Sequence, residues 1–177
     1  MTVFADHPVL ETERLILRPP QATDYSVYAA FMGSPRSAGV SGPVGPDEAW
    51  VRFARLLGHR ILRGWGVFIV TDRVDGTVLG AIGPHFPAGR PEPEIAWSLW
   101  DAAAEGRGIA AEAAIRVLDH VFTDLEWTTA VSYVACDNTR SAALAQRLGA
   151  RIDPAAVMPD LGVAVDVWRH PNPRSLA

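Results

Sequence analysis

Between Glu105 and Ala110 the chain reads Glu-Gly-Arg-Gly-Ile-Ala and then runs into a helix-like pattern. Gly106 and Gly108 open backbone dihedrals closed to other residues and let a ligand approach the main chain. Ala110 and Ala111 keep the first helical turn free of bulky side chains. The unpaired N–H groups of such a turn, with the helix dipole behind them, suit an anion such as pyrophosphate. Arg107 can add a charge-assisted contact. A tight strand-to-helix turn explains the same glycines without any ligand, and short glycine motifs are common. The spacing also matches Gly-x-Gly-x-x-Ala, a dinucleotide fingerprint, but there the glycines follow the first strand of a βαβ unit almost directly. Here Asp101 to Ala104 intervene, and three strands and two helices precede the strand that leads in. A P-loop is excluded because Gly-Lys-Ser/Thr does not occur. What remains is a phosphate-bearing cofactor approached from a strand and a helix that splay apart.

The elements that must position this segment are legible from periodicity. Arg14 to Arg18 alternates as a half-buried strand does and stops at Pro19-Pro20. Thr23 offers an N-cap for a helix through Tyr28 and Phe31, and Gly33 to Gly45 reads as a flexible connection. Pro46-Asp47-Glu48 opens a second helix that ends near Gly64. Two strands, Gly66 to Thr71 and Thr77 to Ile82, flank an Asp75-Gly76 hairpin signal, and a Pro/Gly-rich connection leads into the strand EPEIAWSLW. After the glycine segment, Ala113, Val117, Leu118, Val121 and Phe122 recur at helical spacing. Thr128 to Cys136 reads as a buried strand, Ser141 to Leu148 as a helix capped by Gly149, and two short strands follow near Arg151-Ile152 and Val163 to Trp168. The order predicts one mixed α/β domain over residues 1–177, with a mainly antiparallel meander in its first half.

Composition narrows the function. The 177 residues are 49% hydrophobic and 20% charged, as expected of an ordinary soluble domain able to bury its own core. Cys136 is the single cysteine, so an internal disulfide or a cysteine-rich metal site is excluded, and no metal is expected. A net charge of −4 argues against a nucleic-acid footprint. All 16 cationic residues are arginine, which rules out lysine chemistry. No apolar run approaches the ~18 residues of a membrane span, and the N-terminal stretch lacks the n- and h-regions of a signal peptide. A cytoplasmic protein with no membrane partner is the expectation.

EIAWSLW, then EGRGIAAEA, then CDNTRSAALAQRLGA, in this order and spacing, resemble the core of the GNAT superfamily of N-acetyltransferases. The opening LETERLILRPP is similar to the RimJ/RimL-type branch, and the resemblance covers about residues 8–170. It implies a seven-stranded mixed, mainly antiparallel sheet splayed in a V and flanked by helices, with acetyl-coenzyme A threading the opening. It places the pyrophosphate motif on Glu105, Gly106, Arg107, Gly108, Ile109 and Ala110; Glu105 departs from the usual Gln or Arg. Backbone groups around Leu99 and Trp100 are then expected to pair with the pantetheine amides like an added strand. Asn138 is expected on the pantetheine arm, with Arg140 and Ser141 within reach of the cofactor. Members of this branch are often dimers, so a homodimer is implied.

The implied reaction is direct attack of a primary amine on the thioester, with positioning supplying much of the rate. The amine must first lose a proton, and a carboxylate, often through a water, is a suitable base once partial burial raises its pKa. Glu94, at the start of the EIAWSLW strand, is the first candidate, with Glu92 on the same face. A solvated carboxylate beside prolines is the alternative for both. Many family members use a tyrosine as acid for the departing thiolate, and none follows Asn138. Ser141 is the substitute, unless its hydroxyl only serves its own helix start. His85-Phe86 is read as an exposed turn or an acceptor-pocket wall, and Tyr133 and Cys136 as core or wall. Trp50 and Trp127 are read as packing, while Trp97 and Trp100 fall on opposite faces of one strand. The acceptor is a protein N-terminus, an amino acid or another small-molecule amine. A catalytically silent acyl-CoA-binding module is the competing class, favoured by Glu105 and the missing tyrosine.

Overall fold

The computed structural model describes residues 7–172; residues 1–6 and 173–177, which the single-domain expectation takes in, lie outside it. Strand alternation builds two cores on the two faces of one sheet. Leu15 and Leu17 of β2 (Leu15–Arg18) join Phe68 and Val70 of β3 (Phe68–Asp72) on one face, while Ile69 points to the other. The first face is covered by α3 (Ile109–Thr123), whose Ile109, Ala113, Val117 and Val121 are fully buried at helical spacing. The second is covered by α1 (Tyr25–Met32) and α2 (Pro46–Arg63), which pack Tyr28, Phe31 and Phe53 against Ile69, Ala81 and Trp100.

The remaining strands are β1 (Leu10–Glu11), β4 (Val78–His85), β5 (Glu94–Leu99), β6 (Val131–Ala135), β7 (Arg151–Ile152) and β8 (Val165–Arg169). Helix α4 (Thr139–Arg147) lies between β6 and β7 in the chain. The spatial order is β1-β2-β3-β4-β5-β6-β8-β7. Among the described residues eight strands are present where seven are expected; the addition is β1, two residues paired with Leu17 and Ile16, too short to leave a periodic trace. Thr23 does not cap α1. Instead a short 3-10 turn, Ala22–Asp24, leads in, and buried Asp24 is gripped by both ends of the Arg18 guanidinium at 2.7 and 2.8 Å. The connection between α1 and α2 holds a 3-10 segment at Pro35–Val40. Trp50, expected to pack, is mostly exposed and touches Tyr25 edge-on.

All neighbouring strands run antiparallel except β5 and β6. These two are parallel and meet at a single register pair, Glu94 with Val131, whereas β4 and β5 share six. One residue further on, the Ser132 hydroxyl donates to the Ile95 carbonyl at 2.7 Å, replacing a ladder bond with a side chain. Beyond that point the strands diverge and the sheet opens into a V.

Candidate active site

The glycine segment sits at the open end of the V. After β5, the Asp101 carboxylate accepts the Ala103 N–H (2.8 Å) and caps a 3-10 turn over Ala102–Ala104. Gly106 and Gly108 then take φ of +73° and +77°, the left-handed region where a side chain is strained. Gly108 is the N-cap of α3, and its carbonyl accepts the first helical bond from Glu112 N–H (3.0 Å). The N–H groups of residues 109 to 111 thus have no intrahelical acceptor and form a positive helix end. Ile109 turns its side chain into the core, leaving only its backbone for a ligand. Such a turn fits a pyrophosphate.

Three arginines far away in sequence fasten this turn. Arg14 donates to the Arg107 carbonyl (3.0 Å) and grips Glu112 in the first turn of α3 (2.7 Å). Arg36 binds the carbonyls of Leu99 and Trp100 and the Glu105 carboxylate (2.7 Å). Arg140, at the start of α4, bonds the other Glu105 oxygen. Hydrogen bonds from Arg36 hold the Glu105 carboxyl below its usual range, assisted by Arg140 and opposed by partial burial. The acid that departs from the expected motif is therefore charge-compensated on both sides. Arg14 and Arg36 escape sequence reasoning; the one available signal is that Arg36 is the only charged residue between Gly33 and Gly45.

The mouth of the V holds a cleft of about 170 Å³ between β5 and β6, bounded by Gly39, Val40 and Leu161. Glu94 and Ser141 both line it. Glu94 is 7% exposed, and its Oε1 lies 3.0 Å from His85 Nδ1 and 3.3 Å from Arg90 Nε. His85 is not in a loop: β4 runs through Gly83-Pro84 to His85, directly across from Glu94. Glu92 is placed differently. It forms a two-pronged pair with Arg169 (2.7 and 2.8 Å), which holds its carboxyl below the usual range against the opposing effect of partial burial. The arrangement leaves Glu94 as the carboxylate facing the cleft.

Asn138 caps α4, its Oδ1 accepting the Ser141 N–H at 3.0 Å. The Ser141 oxygen accepts the Trp97 indole N–H at 3.2 Å, which leaves the serine proton to donate elsewhere. Trp97 and Trp100 do lie on opposite sides, but Trp100 departs from the expectation that its backbone serves a cofactor. Its N–H donates to the Leu79 carbonyl (2.8 Å), its carbonyl accepts Arg36, and its ring is buried against Tyr28 and Phe31. Strand alternation turns the Leu99 N–H toward the open edge instead. Tyr133 is a wall of the cleft, its hydroxyl tied to the Glu92 backbone N–H and carbonyl (3.2 and 3.3 Å), while Cys136 is exposed. A larger, open hollow of about 570 Å³ lies along β7 and β8, but its Arg169 is already bound to Glu92 and Asp153. Among the described residues, no group of three or more His, Cys, Asp or Glu is placed to hold a metal ion, and no helix is long and apolar enough to cross a membrane.

A parallel pair opening into a V, a glycine turn at its end and a carboxylate in its mouth define an acyl-transfer fold. Residues 14–151 match the GNAT acetyltransferase domain, and the chain belongs to that family. It is similar to a crystallised acetyltransferase from Agrobacterium tumefaciens, with 38% identity, a TM-score of 0.87 and coverage of 97% of this chain and 98% of that one. A GnaT-family chain from Bordetella pertussis shares 29% identity over 93% of this chain and all of its own, with a TM-score of 0.78. A RimL ribosomal L7/L12 α-N-protein acetyltransferase, solved with coenzyme A, shares the fold at 17% identity and a TM-score of 0.70, over 92% of this chain and 96% of its own.

Proposed function

We propose that this protein is an N-acetyltransferase that moves the acetyl group of acetyl-coenzyme A to a primary amine by direct attack in a ternary complex. The observation that carries the reading is the convergence of Glu94 and Ser141 on the cleft where β5 and β6 part, beside the fastened glycine turn. The N–H groups opening α3 would hold the pyrophosphate, with Arg107 beside them, and the Leu99 N–H and Asn138 would meet the pantetheine arm. Acetyl-coenzyme A supplies the activated thioester. A main-chain N–H on the β5 edge is suited to the developing oxyanion, where one donor is typically worth ~3 kcal/mol of barrier.

Glu94 takes the amine proton, directly or through a water. His85 and Arg90 both hold its Oε1, which fixes that oxygen, while Oε2 has no bonded partner among the described residues and would take the amine proton. Ser141, oriented by Trp97, has its proton available for the leaving thiolate. A place in the RimJ/RimL-type branch rests on the resemblance of LETERLILRPP, and a homodimer is what that branch would imply.

The test is thiol release from acetyl-coenzyme A with a panel of primary amines, beside calorimetry of coenzyme A binding. Amine-dependent release is the expected result. Binding with no release from any amine would leave the silent acyl-CoA-binding module as the better reading.

A further inference from the structure

We infer that the acceptor is a free α-amino acid, whose carboxylate is read by Arg90 while Glu94 receives its amine. The inference rests on the acetyl-transfer reading of the cleft and adds the acceptor's chemical class to it. Arg90 lines the cleft four residues before Glu94 and commits only its Nε, at 3.3 Å, to that carboxylate. Among the described residues no acceptor is bonded to its Nη1 or Nη2. The guanidinium carbon lies 5.8 Å from the centre of the Tyr133 ring, whose hydroxyl is anchored by the Glu92 backbone. Arg90 is therefore backed by a fixed aromatic wall.

The other arginines near the site are committed elsewhere, and Arg107 stands at the glycine turn, outside the residues that line the cleft. Arg14, Arg36 and Arg140 fasten the glycine turn, and Arg169 holds Glu92 and Asp153. Arg90 alone offers a planar, paired donor edge to the cleft, the shape that a carboxylate fits. Beside it, Glu94 has Oε1 occupied and Oε2 without a bonded partner among the described residues. Donor edge and acceptor oxygen thus stand side by side, and an α-amino acid carries its carboxylate and its amine one carbon apart. The Arg90–Glu94 pair is internally neutral, so a zwitterion enters without adding net charge. A peptide N-terminus would instead set a neutral amide against the arginine. Val40 and Leu161 also line the cleft and would lie beside the side chain of a small amino acid.

The experiment compares the common amino acids with their carboxamides as acceptors, reading kcat and KM by thiol release. For the best amino acid, kcat/KM should exceed that of its amide by about tenfold or more, as expected of a charge-assisted fork. Arg90→Met should bring that ratio near one, chiefly by raising KM for the amino acid, and Arg90→Lys should keep part of it. Coenzyme A affinity, measured in parallel, reports that each variant is folded, and the wild-type comparison needs no variant. Equal use of amino acid and amide by the wild type overturns the inference, as does an unchanged ratio in folded Arg90→Met. Preference for a peptide opening with Asp overturns it too, since the carboxylate then comes from a side chain. Acetylation of amides or peptides but not amino acids leaves acetyl transfer standing and removes only Arg90's role. Coenzyme A binding with no acetylation of any amine removes both.

Discussion

Gly108 gives the sharpest test of the cofactor turn. Its φ of +77° and ψ of 5° cost a non-glycine residue on the order of 1–2 kcal/mol. A smaller unfolded-state entropy for alanine returns up to ~1 kcal/mol of that. An added Cβ would meet only Arg14 Nη2, at 3.6 Å, an ordinary contact. Gly108→Ala should therefore lose about 1 kcal/mol, or ~2–4 °C in Tm for a chain of this size. Gly108→Glu adds a charge to the same strain. Taken as ~6 Å from one unit of pyrophosphate charge at an effective dielectric near 20, the repulsion is about 3 kcal/mol, or at least roughly a hundredfold in Kd. The control is Gly76→Glu in the β3–β4 hairpin, where φ is +74° and nothing lies within 4 Å of the new Cβ. Both glutamate variants should melt a few degrees early, but only Gly108→Glu should weaken coenzyme A in calorimetry. Wild-type affinity in folded Gly108→Glu would refute the assignment of the turn.

Glu94→Gln should lower turnover at least ~100-fold with coenzyme A affinity largely intact, most severely at low pH where the amine is protonated; equal turnover across the pH range would remove Glu94 as base. Glu92→Gln should do the reverse, costing about 1 kcal/mol in a denaturant melt through loss of the Arg169 pair while turnover changes less than about twofold. Glu105→Gln should lower Tm at pH 7, because a carboxyl held below its unfolded value stabilises the fold above that value. The gap from wild type should close as pH falls through the ordinary carboxylate range and on through the lower value that Glu105 has in the fold. Burial lowers His170 to about 4, so the fold favours its neutral form and stability should fall between pH 6.5 and 4, by up to about 3 kcal/mol. His170→Phe should reduce that slope in acid titrations followed by circular dichroism, whatever it costs at pH 7, the remainder coming from His59, which burial also lowers to about 4.

Features that depend on neighbours in sequence were legible, and those that depend on the sheet's closure were not. The turn at Gly106 and Gly108 announces itself because positive φ needs glycine locally. Period-two alternation separates Trp97 from Trp100, yet the sequence contains nothing to say which face α1 and α2 cover, and so which ring reaches the cleft. Gly83-Pro84 reads as a strand breaker. In the structure the glycine is there because a Cβ would stand 2.7 Å from Val67 Cα, and β4 continues past it to set His85 against Glu94. Arg36 meets Glu105 across 69 positions and Arg14 meets Glu112 across 98, separations at which spacing carries no signal.

Those separations also bear on how the protein is made. Arg14 and Arg36 precede the glycine turn in the chain, but Glu105 is not held on both sides until Arg140 has followed. Arg140 comes 35 positions after Glu105, or roughly 2–7 s later at ~5–20 residues per second. The proposed phosphate-binding end, fastened by such distant contacts, would complete late, and tight cofactor binding would then belong to the finished chain. Acetyl-coenzyme A would then act on the newly made protein as a ligand selective for the native state, drawing the last steps of folding forward by mass action.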